Sequence, residues 1–186
     1  MTRIPKEDRL QFYRFRNACT SFEEVEHICE YMQKEQIDPS HYLFYPLTLS
    51  IAVIYGRPFK QKKNIRLPEL MIPKELQSTH EFLLLIRDKV FAHTDIDGPR
   101  YDEDFLANEI VVDARAGRVE YSLTTLAFRD TEIKKIRRLS RILAEKSGYH
   151  AEKLWNKYIG KRPFPDGEYK VNLADGNGPL LVPSKH

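Results

Sequence analysis

The sequence predicts a mainly α-helical bundle with one β-hairpin inserted before its last long helix. Three observations carry this expectation. Apolar residues recur at helical spacing in separate stretches of the chain. One of those stretches, HYLFYPLTLSIAVIYG, is apolar almost all round, as a central bundle helix is. The period turns strand-like only around residues 109–123.

Taken in order, Lys6 to Asn17 reads as a short helix. Ser21-Phe22-Glu23-Glu24 then has the form of a capping box, with the glutamate three residues after the serine. Phe22, Val25, Ile28, Cys29 and Met32 follow at helical spacing, which predicts a second helix to about Gln33. In the central helix, Pro46 belongs to the first turn or marks a kink, and Gly56 with Pro58 ends it. Pro73 opens a helix expected to run to His93, with Leu76, His80, Leu83, Arg87 and Val90 on one stripe. The polar run DIDGPRYDED stops it. Two β-rich runs, 109–114 and 118–123, flank Arg115-Ala116-Gly117 and predict the hairpin. A last helix is expected from Asp130 to about Ile159, with Ile133, Ile136, Leu139, Leu143 and Leu154 facing the core. The domain is expected to occupy residues 1–162, followed by a Gly/Pro/Asn-rich C-terminal arm, 163–186.

Composition narrows the function classes. A 41% hydrophobic content fills a core and 31% charged residues cover a surface, which excludes a disordered chain. The N-terminal MTRIPKEDRLQFYRF has no apolar signal region, and no apolar run reaches the ~20 residues of a membrane span. A cytoplasmic location away from membranes is therefore expected. Cys19 and Cys29 form no CxxC pair and read as buried reduced thiols. There is no phosphate-binding loop, dinucleotide fingerprint or nucleophile elbow. No dense acidic cluster with metal-ligand spacing is visible, so neither a metal nor another cofactor is expected. Charge is uneven. Net charge is only +3, but residues 129–162 carry eleven basic residues against four acids, about +7. Lys134, Lys135, Arg137, Arg138 and Arg141 are the candidates for tracking an RNA backbone. A solvated helix surface is the plainer explanation of the same charges.

The residues with the most chemical content lie in LLLIRDKVFAHTD, where Arg87 and Asp88 precede His93 at the expected end of the fourth helix. This stretch resembles the HEPN family (higher eukaryotes and prokaryotes nucleotide-binding domains), whose signature is an arginine, a polar residue and, after a short spacer, a histidine near the end of a core helix. RDKVFAHTD is most similar to its abortive-infection and uncharacterised prokaryotic branches. The specific match covers about nine residues, and the helical order is compatible over about 130 more. The hairpin and the C-terminal arm depart from the minimal bundle. The resemblance implies a metal-independent endoribonuclease, active as a homodimer on RNA, with Arg87, Asp88 and His93 as its catalytic residues. It also implies a setting in defence or toxin–antitoxin systems, with an antitoxin or defence partner.

Elementary chemistry is compatible with that implication. Metal-free RNA cleavage needs a group that exchanges protons near neutrality while the ribose 2′-OH attacks phosphorus, and histidine titrates nearest that range. A guanidinium holds two phosphoryl oxygens as charge develops on them. Six α-helical residues turn through about 600°, leaving Arg87 and His93 roughly 120° apart around the axis. Convergence on one phosphate therefore favours two copies pairing this helix across a two-fold. Asp88 would orient the arginine or histidine. A structural alternative stands beside this one: His93 caps helix carbonyls, Arg87 pairs with Asp88 or Asp95, and the helix serves a non-catalytic interaction or dimerisation module. His80 reads as a core-edge histidine, Tyr55 and Arg57 as packing and capping residues, Phe12, Tyr13 and Phe15 as packing residues, and Lys60, Lys62 and Lys63 as a solvated loop.

Overall fold

The computed structural model describes residues 4–91, 109–115, 118–124, 128–158, 160, 167–172 and 181–183. Among them, helix α1 spans Lys6–Lys34, α2 Phe44–Gly56, α3 Gln77–Leu85 and α4 Asp130–Tyr158. Short 3₁₀ turns lie at Arg57–Phe59, Glu69–Met71 and Lys74–Leu76, and α3 continues as a π-helical stretch, Ile86–Phe91. Strands β1 (Glu109–Arg115) and β2 (Arg118–Thr124) pair antiparallel, with Glu109 opposite Thr124 and Arg115 opposite Arg118. Strands β3 (Tyr169–Val171) and β4 (Leu181–Pro183) form a second antiparallel pair. The molecule is mainly helical, as a bundle is. No helix among the described residues is long and apolar enough to cross a membrane.

The N-terminal region differs from expectation. A single helix runs through Ser21, with no break and no capping box. The reason is burial. Phe15, Ala18, Cys19, Phe22, Val25, Cys29 and Met32 form one uninterrupted apolar stripe, and Ser21 is itself buried beside it. Packing of that stripe outweighs the local preference of serine for a helix start. The helix stops at Lys34 by a backbone device. Gln36 adopts φ 51°, and the Ile37 N–H bonds Met32 O at 2.9 Å while Ile37 is buried. This is the left-handed cap with its apolar contact.

α4 is α1's principal packing partner. Ile133, Ile136, Leu139, Ser140, Leu143, Ala144, Ser147 and Ala151 are its buried positions, spaced by threes and fours for most of its length. Leu154, expected in the core, is half-buried. Pro46 lies in the first turn of α2, where its missing N–H costs nothing, and the helix ends at Gly56 as expected. The helix expected to reach His93 begins in the 3₁₀ turn Lys74–Leu76 and becomes π-helical at Ile86. The 120° separation assumed for Arg87 and His93 rests on α-helical winding, which Ile86–Phe91 does not have.

The hairpin turn at 116–117, the polar run 95–104 and the domain boundary at 162–163 lie outside the described residues. The C-terminal arm nevertheless touches the bundle. Buried Arg9 donates from Nε to Ile4 O at 3.1 Å and from Nη1 to Asn172 O at 3.0 Å.

Candidate functional site

Arg87 leaves the helix at the point where α3 widens into π-helical winding. Its stem lies against the backbone at the end of α2. A Cβ added to Gly56 would stand 2.2 Å from Arg87 Cδ and 2.9 Å from Nε. Gly56 has an ordinary helical φ of −74°, so its value here is the missing side chain and not backbone freedom. The Nε atom is buried with no hydrogen-bond partner among the described residues. Nη1 donates to Asp88 Oδ1 at 2.6 Å.

Asp88 has a second cation. Lys60 Nζ donates to its Oδ2 at 2.5 Å, so each carboxylate oxygen faces one positive group. Burial works against the charge on Asp88. Hydrogen bonds from Lys60 and Arg87, with their charges, prevail and hold its carboxyl below the usual range. The cluster therefore has two cations around one anion on a half-exposed surface.

Behind this cluster, Tyr55 Oη and His80 Nδ1 are 2.8 Å apart, both fully buried, with Phe59 packed edge-on against the imidazole at 4.6 Å. Burial lowers the His80 pKa; Glu69 and Glu81 oppose this and Lys60 adds to it. The imidazole is thus held neutral inside the bundle, deeper than the core-edge position expected. Phe15 is buried and packs within the main core. Phe12 is half-buried against that core, with its ring 6.0 Å from Trp155.

His93 lies outside the described residues, so only Arg87 and Asp88 of the expected catalytic set are placed. Among the basic candidates on α4, Lys134, Arg137, Arg138 and Arg141 line one shallow cavity of about 370 Å³ together with Gln33. Lys135, though exposed, is not among its lining residues. Three of the four have acidic neighbours: Lys134 with Asp130 at 2.6 Å, Arg137 with Glu30 at 3.2 Å, and Arg138 with Glu75 at 3.7 Å. None of Lys60, Arg87 and Asp88 lines that cavity. The Arg87 cluster and the basic cavity are therefore separate features.

Sequence reasoning missed Lys60 and the role of Gly56. Lys60 read as a loop lysine because its partner is 28 residues away. Gly56 read only as a helix stop, and a glycine carries no local sign of the side chain that will lie on it. Both thiols are free and buried. Burial, then the hydrogen bond and charge of Glu23, pushes Cys19 up to about 11, and burial pushes Cys29 up to about 12. Neither is primed as a nucleophile. No group of three or more metal-ligating side chains occurs among the described residues. No protein-family model, curated protein or solved structure matches the chain.

Proposed function

We propose that this protein is a metal-independent endoribonuclease of the HEPN type. Arg87 binds the scissile phosphoryl group, His93 moves the proton between the 2′-OH and the leaving oxygen, and Asp88 orients the Arg87 guanidinium. Two copies supply the groove by pairing the helix that carries the motif, and the Lys134–Arg141 cluster with Lys135 tracks the RNA. A defence or toxin–antitoxin partner would restrain the activity. The observation that carries this reading is the setting of Arg87: its stem rests on Gly56, one nitrogen is held by Asp88, and Nε is buried without a partner among the described residues. A guanidinium held that way loses little freedom on meeting a phosphate.

Labelled RNA incubated with the protein in EDTA tests it. Wild type should cleave, and His93→Ala and Arg87→Ala should each lose about a hundredfold or more. Absence of cleavage by wild type, or equal cleavage by all three, removes the proposal.

One observation favours a second reading, a non-catalytic interaction module. Asp88 already pairs with both Lys60 and Arg87, which is a structural role for these side chains that needs no substrate. In that case Arg87→Ala changes stability or assembly while no RNA is cleaved by any form.

A further inference from the structure

The outward face of α4 is divided by charge along its length. Lys134, Arg138, Arg141, Glu145 and Glu152 are all exposed, and at 100° per residue they fall within about 60° of one another around the helix axis. The first three are basic and the last two acidic. The acidic half opens into a groove of about 860 Å³ between α1 and α4, where Glu23 and Glu26 of α1 join Glu145 and Glu152. Its floor includes three small residues of α4, Ala144, Gly148 and Ala151. Gly148 faces Cys19 of α1, and a Cβ added there would stand 3.4 Å from its Sγ.

We propose that this face binds a second copy of the chain, α4 against α4, antiparallel about a two-fold axis that crosses the exposed face at the level of residue 143 along the helix. The numbering supplies the argument. Arg141 and Glu145 stand two residues either side of Leu143, and Lys134 and Glu152 stand nine either side. An antiparallel two-fold through that point sets Lys134 and Arg141 of one copy opposite Glu152 and Glu145 of the other. The interface is isologous and closes at two copies, as self-complementary patches do.

The intramolecular pairs that Lys134 and Arg138 make are solvent-exposed, so exchanging them for cross-copy partners costs little. This association is distinct from the pairing of motif helices in the ribonuclease reading and does not depend on it. It uses Lys134, Arg138 and Arg141, so RNA on the basic half and a second copy would compete for the same face.

Charge exchange tests it, read as assembly mass by sedimentation equilibrium at about 100 µM and low salt. One variant carries Lys134→Glu and Arg141→Glu, making the face acidic; the other carries Glu145→Lys and Glu152→Lys, making it basic. Each alone should show half the wild-type assembly mass, and an equimolar mixture should return to the wild-type mass. Wild-type association should weaken about tenfold between roughly 50 mM and 500 mM salt. A wild type that stays monomeric overturns the proposal. So do variants that keep the wild-type mass, or a mixture that stays at the mass of its separated components.

Discussion

At the scale of single residues, the contact between Gly56 and Arg87 gives a prediction whose sign depends on its partner. At a position with ordinary helical φ, as at Gly56, Gly→Ala is stabilising by roughly 0.4–1 kcal/mol, because alanine loses less chain entropy. Here the added methyl would meet Arg87 Cδ at 2.2 Å. Gly56→Ala should therefore destabilise wild type, yet stabilise an Arg87→Ala background. Urea unfolding of the four proteins should yield a coupling of about 1 kcal/mol or more. Additive effects would show that the arginine is not seated on α2.

His80 carries a second residue-scale prediction. Burial holds its folded pKa below the unfolded value of about 6.5. Its contribution to stability is then fully present above that unfolded value and is lost as pH falls below it toward the folded pKa, because the unfolded chain takes up the proton first. Thermal unfolding between pH 7.5 and 5.5 should show wild type losing stability on acidification. His80→Gln should be less stable at pH 7.5 but have a flatter pH dependence. Parallel profiles would contradict a buried neutral imidazole.

At the scale of elements, Ser21 separates two descriptions of the N-terminal region. As a helix cap, its replacement by alanine would cost about 1 kcal/mol. As an interior position of one long helix, the same replacement should be neutral or stabilising by a few tenths of a kcal/mol, since alanine has the higher propensity. Chemical denaturation of Ser21→Ala distinguishes them, and the continuous α1 predicts the second outcome. The capping-box pattern was present in the letters. Its failure is a case of tertiary burial overriding a local signal, because the Phe15–Ala18–Phe22–Val25 stripe needs an unbroken helix to reach α4. α4 shows the opposite case. Its predicted bounds and most of its core positions agree with the observed helix, because a long amphipathic period leaves one face to bury.

At the scale of the whole molecule, Arg9 joins both ends of the chain. Its guanidinium bonds Ile4 O and, across 163 residues of sequence, Asn172 O. Arg9→Met keeps much of the volume and removes both donations. It should cost roughly 1.5–3 kcal/mol, the range for hydrogen bonds to charged groups. Amide exchange in β3 should accelerate more than exchange in the α4 core. Unchanged exchange at 169–171 would mean that the arm is held by other contacts.

Periodicity and composition determined the helical class, the positions of α2 and α4 and the reduced state of the thiols, while Arg87 and Asp88 stood out through the resemblance of RDKVFAHTD to a family signature. All of these depend on neighbours within a few turns, and a few turns of sequence are enough to express them. Only the folded chain decided that α1 is continuous and that α3 widens to a π-helix at Ile86. It also decided that Lys60 meets Asp88, that Gly56 makes room for an arginine, and that Glu30 and Glu75 face the basic helix. Those contacts join residues separated by tens of positions, where side-chain packing and charge pairing outweigh local preference and leave no periodic trace in the sequence.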